Sequence, residues 1–238
     1  MRISLSLKAG ISMADDLAGT AVLFDLDGTL IDTAEDLAAS MNHALARANI
    51  DPISGVEVRH LVGYGARRML MRGYQLSARR EGTTEELDKA LEWFLEHYQD
   101  NIAVHSRPFD GVVEMIERQR ALGIRFAICT NKREAMAVLL LETLGVSSLF
   151  DAIIGADSAS AAKPDPAPVK MCMEKLRAQH GVFVGDSDTD IRAARSVKMA
   201  CFIARFGYGP LTLANEATAL FDSYGEAAPL IEAALNTH

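Results

Sequence analysis

What the chain has little of narrows it before any motif is read. Its three cysteines, Cys129, Cys172 and Cys201, lie far apart in 238 residues and form no CxxC pair, so a disulfide framework is not expected. That usage implies a reducing cytoplasm. Positive charge is also scarce: 24 Lys and Arg stand against 32 Asp and Glu, a net charge of -8, which removes any general attraction for nucleic acid. No uninterrupted apolar run approaches the ~20 residues of a membrane helix, so no membrane partner is expected. The opening segment MRISLSLKAGISMADD has too short an apolar stretch for a signal peptide; residues 1–18 read as a loose extension in which Met13 is an alternative start. The six histidines have no ligand-like spacing, which argues against zinc. Gly63-Tyr64-Gly65 lacks the third glycine of a dinucleotide fingerprint, and no Walker-type phosphate loop occurs.

What is present is enough apolar residue, 49%, to bury the core of one large domain or of a domain with an insertion. The run TAVLF is short, β-prone and apolar, and it ends at the polar segment DLDGTLIDT, as a buried parallel strand does when its last residues meet solvent. A helix is expected next, because Thr33 and Asp36 have capping-box spacing and Leu37, Met41 and Leu45 recur every four residues. A second amphipathic stretch puts Leu87, Leu91, Phe94 and Tyr98 on one face. Residues 33–105 thus read as an all-helical cap, closed by the helix-breaking RPFDG. Beyond it, helices over 112–122, 133–144, 167–178 and 189–197 alternate with the strands IRFAIC, DAIIG, VFVG and MACFIA, before a final helix ending near Leu235. The fold class expected is α/β: a Rossmann-like parallel sheet built from 19–32 and 106–238, with the helical cap inserted after the first strand.

Four polar motifs follow or closely trail predicted strands: Asp25-Leu26-Asp27-Gly28-Thr29-Leu30, Thr130-Asn131-Lys132, Lys163-Pro164, and Gly185-Asp186-Ser187-Asp188-Thr189-Asp190. Ligands of open parallel sheets gather at the carboxyl ends of strands. Asp25 and Asp27 frame one apolar residue before a glycine that can turn sharply, so both carboxyl groups can face one pocket. One such carboxylate can attack phosphorus while the other protonates the departing alkoxide and then activates water. Asp186 and Asp190 follow a strand with three residues between them, which suits either a hard cation or the capping of a helix. Lys163, held in AAKPDPAP, is a surface-loop lysine or a fixed ammonium that neutralises carboxylate and phosphate. Thr130 and Asn131 are turn residues or donors to phosphate oxygens. Lys132 reads as solvent-facing, His43, His60 and His97 as surface or helix-packing residues, and Arg67, Arg68 and Arg72 as a solvated helix face.

In order, spacing and strand context these motifs resemble the four motifs of the haloacid dehalogenase superfamily. The resemblance implies an aspartyl-phosphate on Asp25, acid-base work by Asp27, charge stabilisation by Lys163 and phosphate contacts from Thr130, to which Asn131 is added here. It further implies Mg2+ held by Asp25, Asp186 and the backbone carbonyl of Asp27, with Asp190 in a supporting place. FDLDGTLIDT, VGYGARRML, RPFDGV, CTNKRE, KPDPAPV, VGDSDTDIRAAR and FGYG look most like the bacterial phosphoglycolate phosphatases, over roughly residues 20–210. That subfamily most commonly has arginine and asparagine where this chain has Asp188 and Thr189. The implied activity is hydrolysis of a small phosphorylated metabolite, with Gly63 and Arg67 in the cap contributing to its binding. A phosphosugar mutase, or a phosphatase of a sugar phosphate or pyrophosphate, is the alternative, since only cap closure and positioning choose the phosphoryl acceptor. A silent binding protein would have lost one of the acids, all of which are present. Whether the chain is a monomer or a homodimer is open at this level.

Overall fold

The computed structural model describes residues 17–237, so the extension expected over 1–18 lies almost wholly outside the described residues. Its residue Leu17 does not belong to a loose segment. Leu17 is 4% exposed and packs in the core, and its carbonyl accepts the Thr20 N–H that starts the first strand.

Six strands form one parallel sheet in the order β5-β4-β1-β6-β7-β8. They are β1 (Thr20–Phe24), β4 (Arg125–Cys129), β5 (Ala152–Ile154), β6 (His180–Gly185), β7 (Ala200–Ala204) and β8 (Ala219–Phe221). Because β1 is central, every one of its residues is buried: Val22 and Phe24 enter the larger apolar cluster on one face, Ala21 and Leu23 the cluster on the other. Helices α7 (Ala167–Leu176) and α8 (Asp188–Ser196) cover the second face. On the first lie α5 (Val112–Arg120), α6 (Glu134–Thr143) and α9 (Tyr224–Leu235). The short strand β8 carries too weak a periodic signal for the sequence to announce, and it extends the sheet beside β7.

Between β1 and α5 the chain leaves the sheet. Two-residue strands β2 (Ile31–Asp32) and β3 (Arg107–Pro108) pair antiparallel, Ile31 opposite Pro108 and Asp32 opposite Arg107, and so pinch the two ends of a helical excursion together. Within it run α1 (Ala34–Arg47), α2 (Gly55–Arg59), α3 (Ala66–Gly73) and α4 (Thr84–Asp100). Leu37, Met41 and Leu45 of α1 and Leu87, Phe94 and Tyr98 of α4 are buried, and the two helices pack against each other.

The expected capping box at Thr33 and Asp36 does not form. Thr33 makes no side-chain cap; its hydroxyl donates instead to Asp27 at 2.7 Å. Asp36, 2% exposed, accepts the backbone N–H of His105 and Ser106 and the Ser106 hydroxyl, tying the start of α1 to the end of the helical segment. Long-range partners outcompete the local ones because they satisfy donors that would otherwise be buried unpaired. Among the described residues no helix is long and apolar enough to cross a membrane.

Candidate active site

The sheet's connections reverse direction around β1, so the loops leaving β1, β4 and β6 open into the same crevice at their carboxyl ends. Asp25 follows β1 directly, with its backbone N–H on the Val184 carbonyl at 2.9 Å. The chain then folds back on itself: Gly28 N–H reaches the Ile31 carbonyl at 3.0 Å, and Gly28 has φ +82°. A Cβ there would lie 2.5 Å from Asp186 Oδ2 and 2.7 Å from the Tyr208 ring, so the turn and the close approach both require glycine.

Asp25, Asp186 and Asp190 are all buried, and one carboxylate oxygen of each lies within 4.8 Å of the others. Lys163, with a side chain 1% exposed, sits between two of them, 2.9 Å from Asp25 Oδ1 and 2.7 Å from Asp190 Oδ1. The other oxygen of Asp190 caps α8, accepting Asp186 N, Ser187 N and Ser187 Oγ, the last at 2.7 Å. Capping and orienting Lys163 are therefore both done by this one side chain. Asp186 Oδ2 accepts Tyr208 N at 2.6 Å and Gly209 N at 3.2 Å, while its Oδ1 has only the Thr29 hydroxyl at 3.5 Å.

One ammonium pairs with two of these three carboxylates and leaves Asp186 without a cation, and the electrostatics follow. Burial raises the Asp186 carboxyl well above the ordinary range, with the charges of Asp190 and Asp25 adding to it. Asp25 is also raised by burial, but less, because Lys163 pulls against it. Burial alone would lower the Lys163 ammonium; Asp190 and Asp25 outweigh it and hold the lysine charged. Hard oxygen donors with negative charge in excess are what a small divalent cation takes, so the residues present fit one.

Thr130, 2% exposed, continues β4, and its N–H pairs with the Ile154 carbonyl of β5. Asn131 Nδ2 donates to the Lys163 carbonyl at 3.1 Å and to the Gly63 carbonyl at 3.2 Å, joining the lysine loop to the helical segment. Gly63 lines the cavity beside Thr130, whereas Arg67, which also lines it, spends its guanidinium on an ion pair with Asp88 and is 40% exposed at its side chain. Arg67 is thus not gathered with the acids.

Lys132 overturns the expectation of a solvent-facing side chain. Its side chain is 6% exposed, and its ammonium lies 2.8 and 2.9 Å from the two oxygens of Asp27 and 4.7 Å over the Tyr98 ring. Only its place next to Thr130-Asn131 hinted at this; a lysine three residues past a strand carries no signal of which way it turns. Tyr208 was legible only as part of FGYG. Its hydroxyl accepts Thr33 N at 2.8 Å and bonds Asp32, while Arg59 of α2 stacks on its ring at 4.5 Å. It therefore links the Asp186 loop to the start of the helical segment and to α2 within it.

A cavity of about 570 Å³ lies between this crevice and the helices, reached by Asp25, Asp27, Thr130, Lys132 and Lys163 from the sheet side and by Gly63, Phe94 and Tyr98 from the other. Against known proteins, the family model of haloacid dehalogenase-like hydrolases matches residues 22–204. A phosphoglycolate phosphatase of Mesorhizobium japonicum is 42% identical over 192 residues, 79% of this chain and 83% of that protein. One from Agrobacterium fabrum is 37% identical over 212 residues, 88% of this chain and 91% of the relative. The crystal structure of a predicted phosphoglycolate phosphatase from Haemophilus somnus superposes with a TM-score of 0.83 at 30% identity, covering 90% of this chain and 98% of the other.

Proposed function

The chain belongs to the haloacid dehalogenase-like hydrolases, and from that premise we propose that it is a magnesium-dependent phosphatase whose preferred substrate is 2-phosphoglycolate. The observation that carries this reading is the meeting of Asp25 and Asp27 at one cavity, the first beside Asp186 and the buried Lys163, the second below the helical cap.

The Asp25 carboxylate attacks phosphorus and forms an aspartyl-phosphate; the phosphorus–oxygen bond to the alkoxide breaks, and Asp27 delivers the proton that the alkoxide needs. Water activated by Asp27 then attacks the aspartyl-phosphate, releasing inorganic phosphate and restoring Asp25. Lys163 offsets the charge gathered at Asp25 and the phosphoryl oxygens, and Asp190 fixes that ammonium in place. Thr130, at the same rim, offers its hydroxyl to phosphoryl oxygens, whereas the side-chain amide of Asn131 gives its two N–H groups to the Lys163 and Gly63 carbonyls and so holds the rim in place and does not contact phosphate. Asp25, Asp186 and the backbone carbonyl of Asp27 would hold Mg2+, which when bound screens the repulsion between a carboxylate nucleophile and a phosphate dianion. The cap closes the site from bulk water. Three buried free cysteines among the described residues fit a reducing cytoplasm.

The test is phosphate release with and without magnesium from 2-phosphoglycolate, sugar phosphates, nucleotides and pyrophosphate, ranked by kcat/KM. A bulky sugar phosphate ranking first would overturn the substrate assignment; no magnesium-dependent release from any of them would overturn the activity.

A further inference from the structure

Lys132 is a buried cation that the chemistry just described leaves without a task. Pairing it with Asp27 accounts for the charge, since an ammonium without a partner is expensive to bury. Two observations point beyond a structural pair. The ammonium carries three N–H donors, and the two Asp27 oxygens take two of them. Beside it Tyr98, 1% exposed, lines the same cavity with a hydroxyl that faces this ammonium but has no partner in good hydrogen-bond geometry. Buried hydroxyls are ordinarily paired, because leaving one unsatisfied costs about 1–3 kcal/mol.

The location of this pair decides what it would hold. Asp27 marks where the leaving oxygen sits, and in 2-phosphoglycolate the carboxyl carbon lies two bonds beyond that oxygen. A carboxylate so placed falls beside whatever cation rests on Asp27. Of the other cations lining the cavity, Lys163 is already committed to Asp25 and Asp190 and Arg67 to Asp88, and Arg68 and Arg133 are exposed, whereas Lys132 is buried on Asp27 itself. We propose that the Lys132 ammonium and the Tyr98 hydroxyl form the subsite for the carboxylate of the leaving group, and so set the preference for an acidic over a neutral two-carbon alcohol. The inference rests on the phosphatase reading above. It also gives the cap a share in selection, because Tyr98 comes from α4 and Lys132 from the loop after β4: the subsite is complete only when the two are together.

The experiment compares kcat/KM for 2-phosphoglycolate with that for 2-hydroxyethyl phosphate, which replaces the carboxylate by a neutral hydroxymethyl group. The wild-type ratio should favour the acid. In Lys132→Met it should fall roughly 10- to 100-fold, the scale of a lost hydrogen bond to a charged group, and in Tyr98→Phe a few-fold. If Lys132→Met is too slow to assay on either compound, Tyr98→Phe, which removes one oxygen, decides the matter. A wild-type ratio near one, or an unchanged ratio in the variants, overturns the subsite while magnesium-dependent release from an aryl phosphate leaves the phosphatase standing. No release from any of the three compounds sinks both.

Discussion

Asp25 and Asp27 share a loop and a cavity, yet their surroundings separate them. Asp25 is pressed against Lys163 and two other acids, and Asp27 meets Lys132 and the Thr33 hydroxyl. For Asp25→Asn turnover should vanish, because an amide cannot become an acyl phosphate; a folded variant with wild-type turnover on its best substrate would disprove the nucleophile. Asp27→Asn should slow an alkyl phosphate by roughly 10²–10⁴, the scale of a positioned acid or base. The same variant should lose less on an activated aryl phosphate, whose leaving group needs no proton. Equal losses on the two would argue against the acid role. At this scale the acids were legible because DxDGT and GDSxxD are local in sequence, whereas the direction of Lys132 was not, being set by Asp27 about a hundred residues away.

Among the elements, the junction between sheet and cap bears the greatest strain on sequence reasoning. Asp36 looks like a helix cap and acts as a strap, taking three donors from His105 and Ser106. Asp36→Ala would leave those buried donors unpaired and should cost about 2–5 kcal/mol, read as a lower urea midpoint at an unchanged m-value. A loss below 1 kcal/mol would mean that water replaces the carboxylate there. At the other side of the cavity Gly65 begins α3 with φ 86° and ψ 152°, a conformation open essentially to glycine alone. Gly65→Ala should shift the loop that carries Gly63 against Asn131, lowering kcat/KM for 2-phosphoglycolate more than for an aryl phosphate that draws less on the cap. Equal effects on both would place the loop outside selection.

For the whole molecule, the charge surplus at the crevice makes a cation a matter of stability as well as of catalysis. Asp25, Asp186 and Asp190 are buried together while the Lys163 ammonium pairs with only Asp25 and Asp190, so the folded state should gain from a dication that the unfolded chain does not bind. Magnesium at 100 times its Kd should then add about 2.7 kcal/mol. Chelation should lower Tm and abolish phosphate release, both reversibly, and Asp186→Ala should remove most of the magnesium-dependent rise in Tm. Full activity after exhaustive metal removal, or an unchanged rise in the variant, would contradict the assignment.

By itself the sequence determined the alternation of apolar strands and amphipathic helices, and with it the parallel sheet. β1 was read to the residue, because a fully buried strand leaves an unbroken apolar run bounded by polar turns. It also determined which acids stand at the strand ends. What it left open was every assignment that depends on a partner distant in the chain: the β2 and β3 pairing at the neck of the cap, Tyr208 bridging the Asp186 loop to Thr33, Asp190 serving both Lys163 and the helix start, and Lys132 turned inward under Tyr98. Two-residue strands and single buried polar side chains have no periodicity to betray them. Their places are chosen by the need to pair buried charge and buried backbone donors, and only the tertiary structure says which partner is near enough to do so.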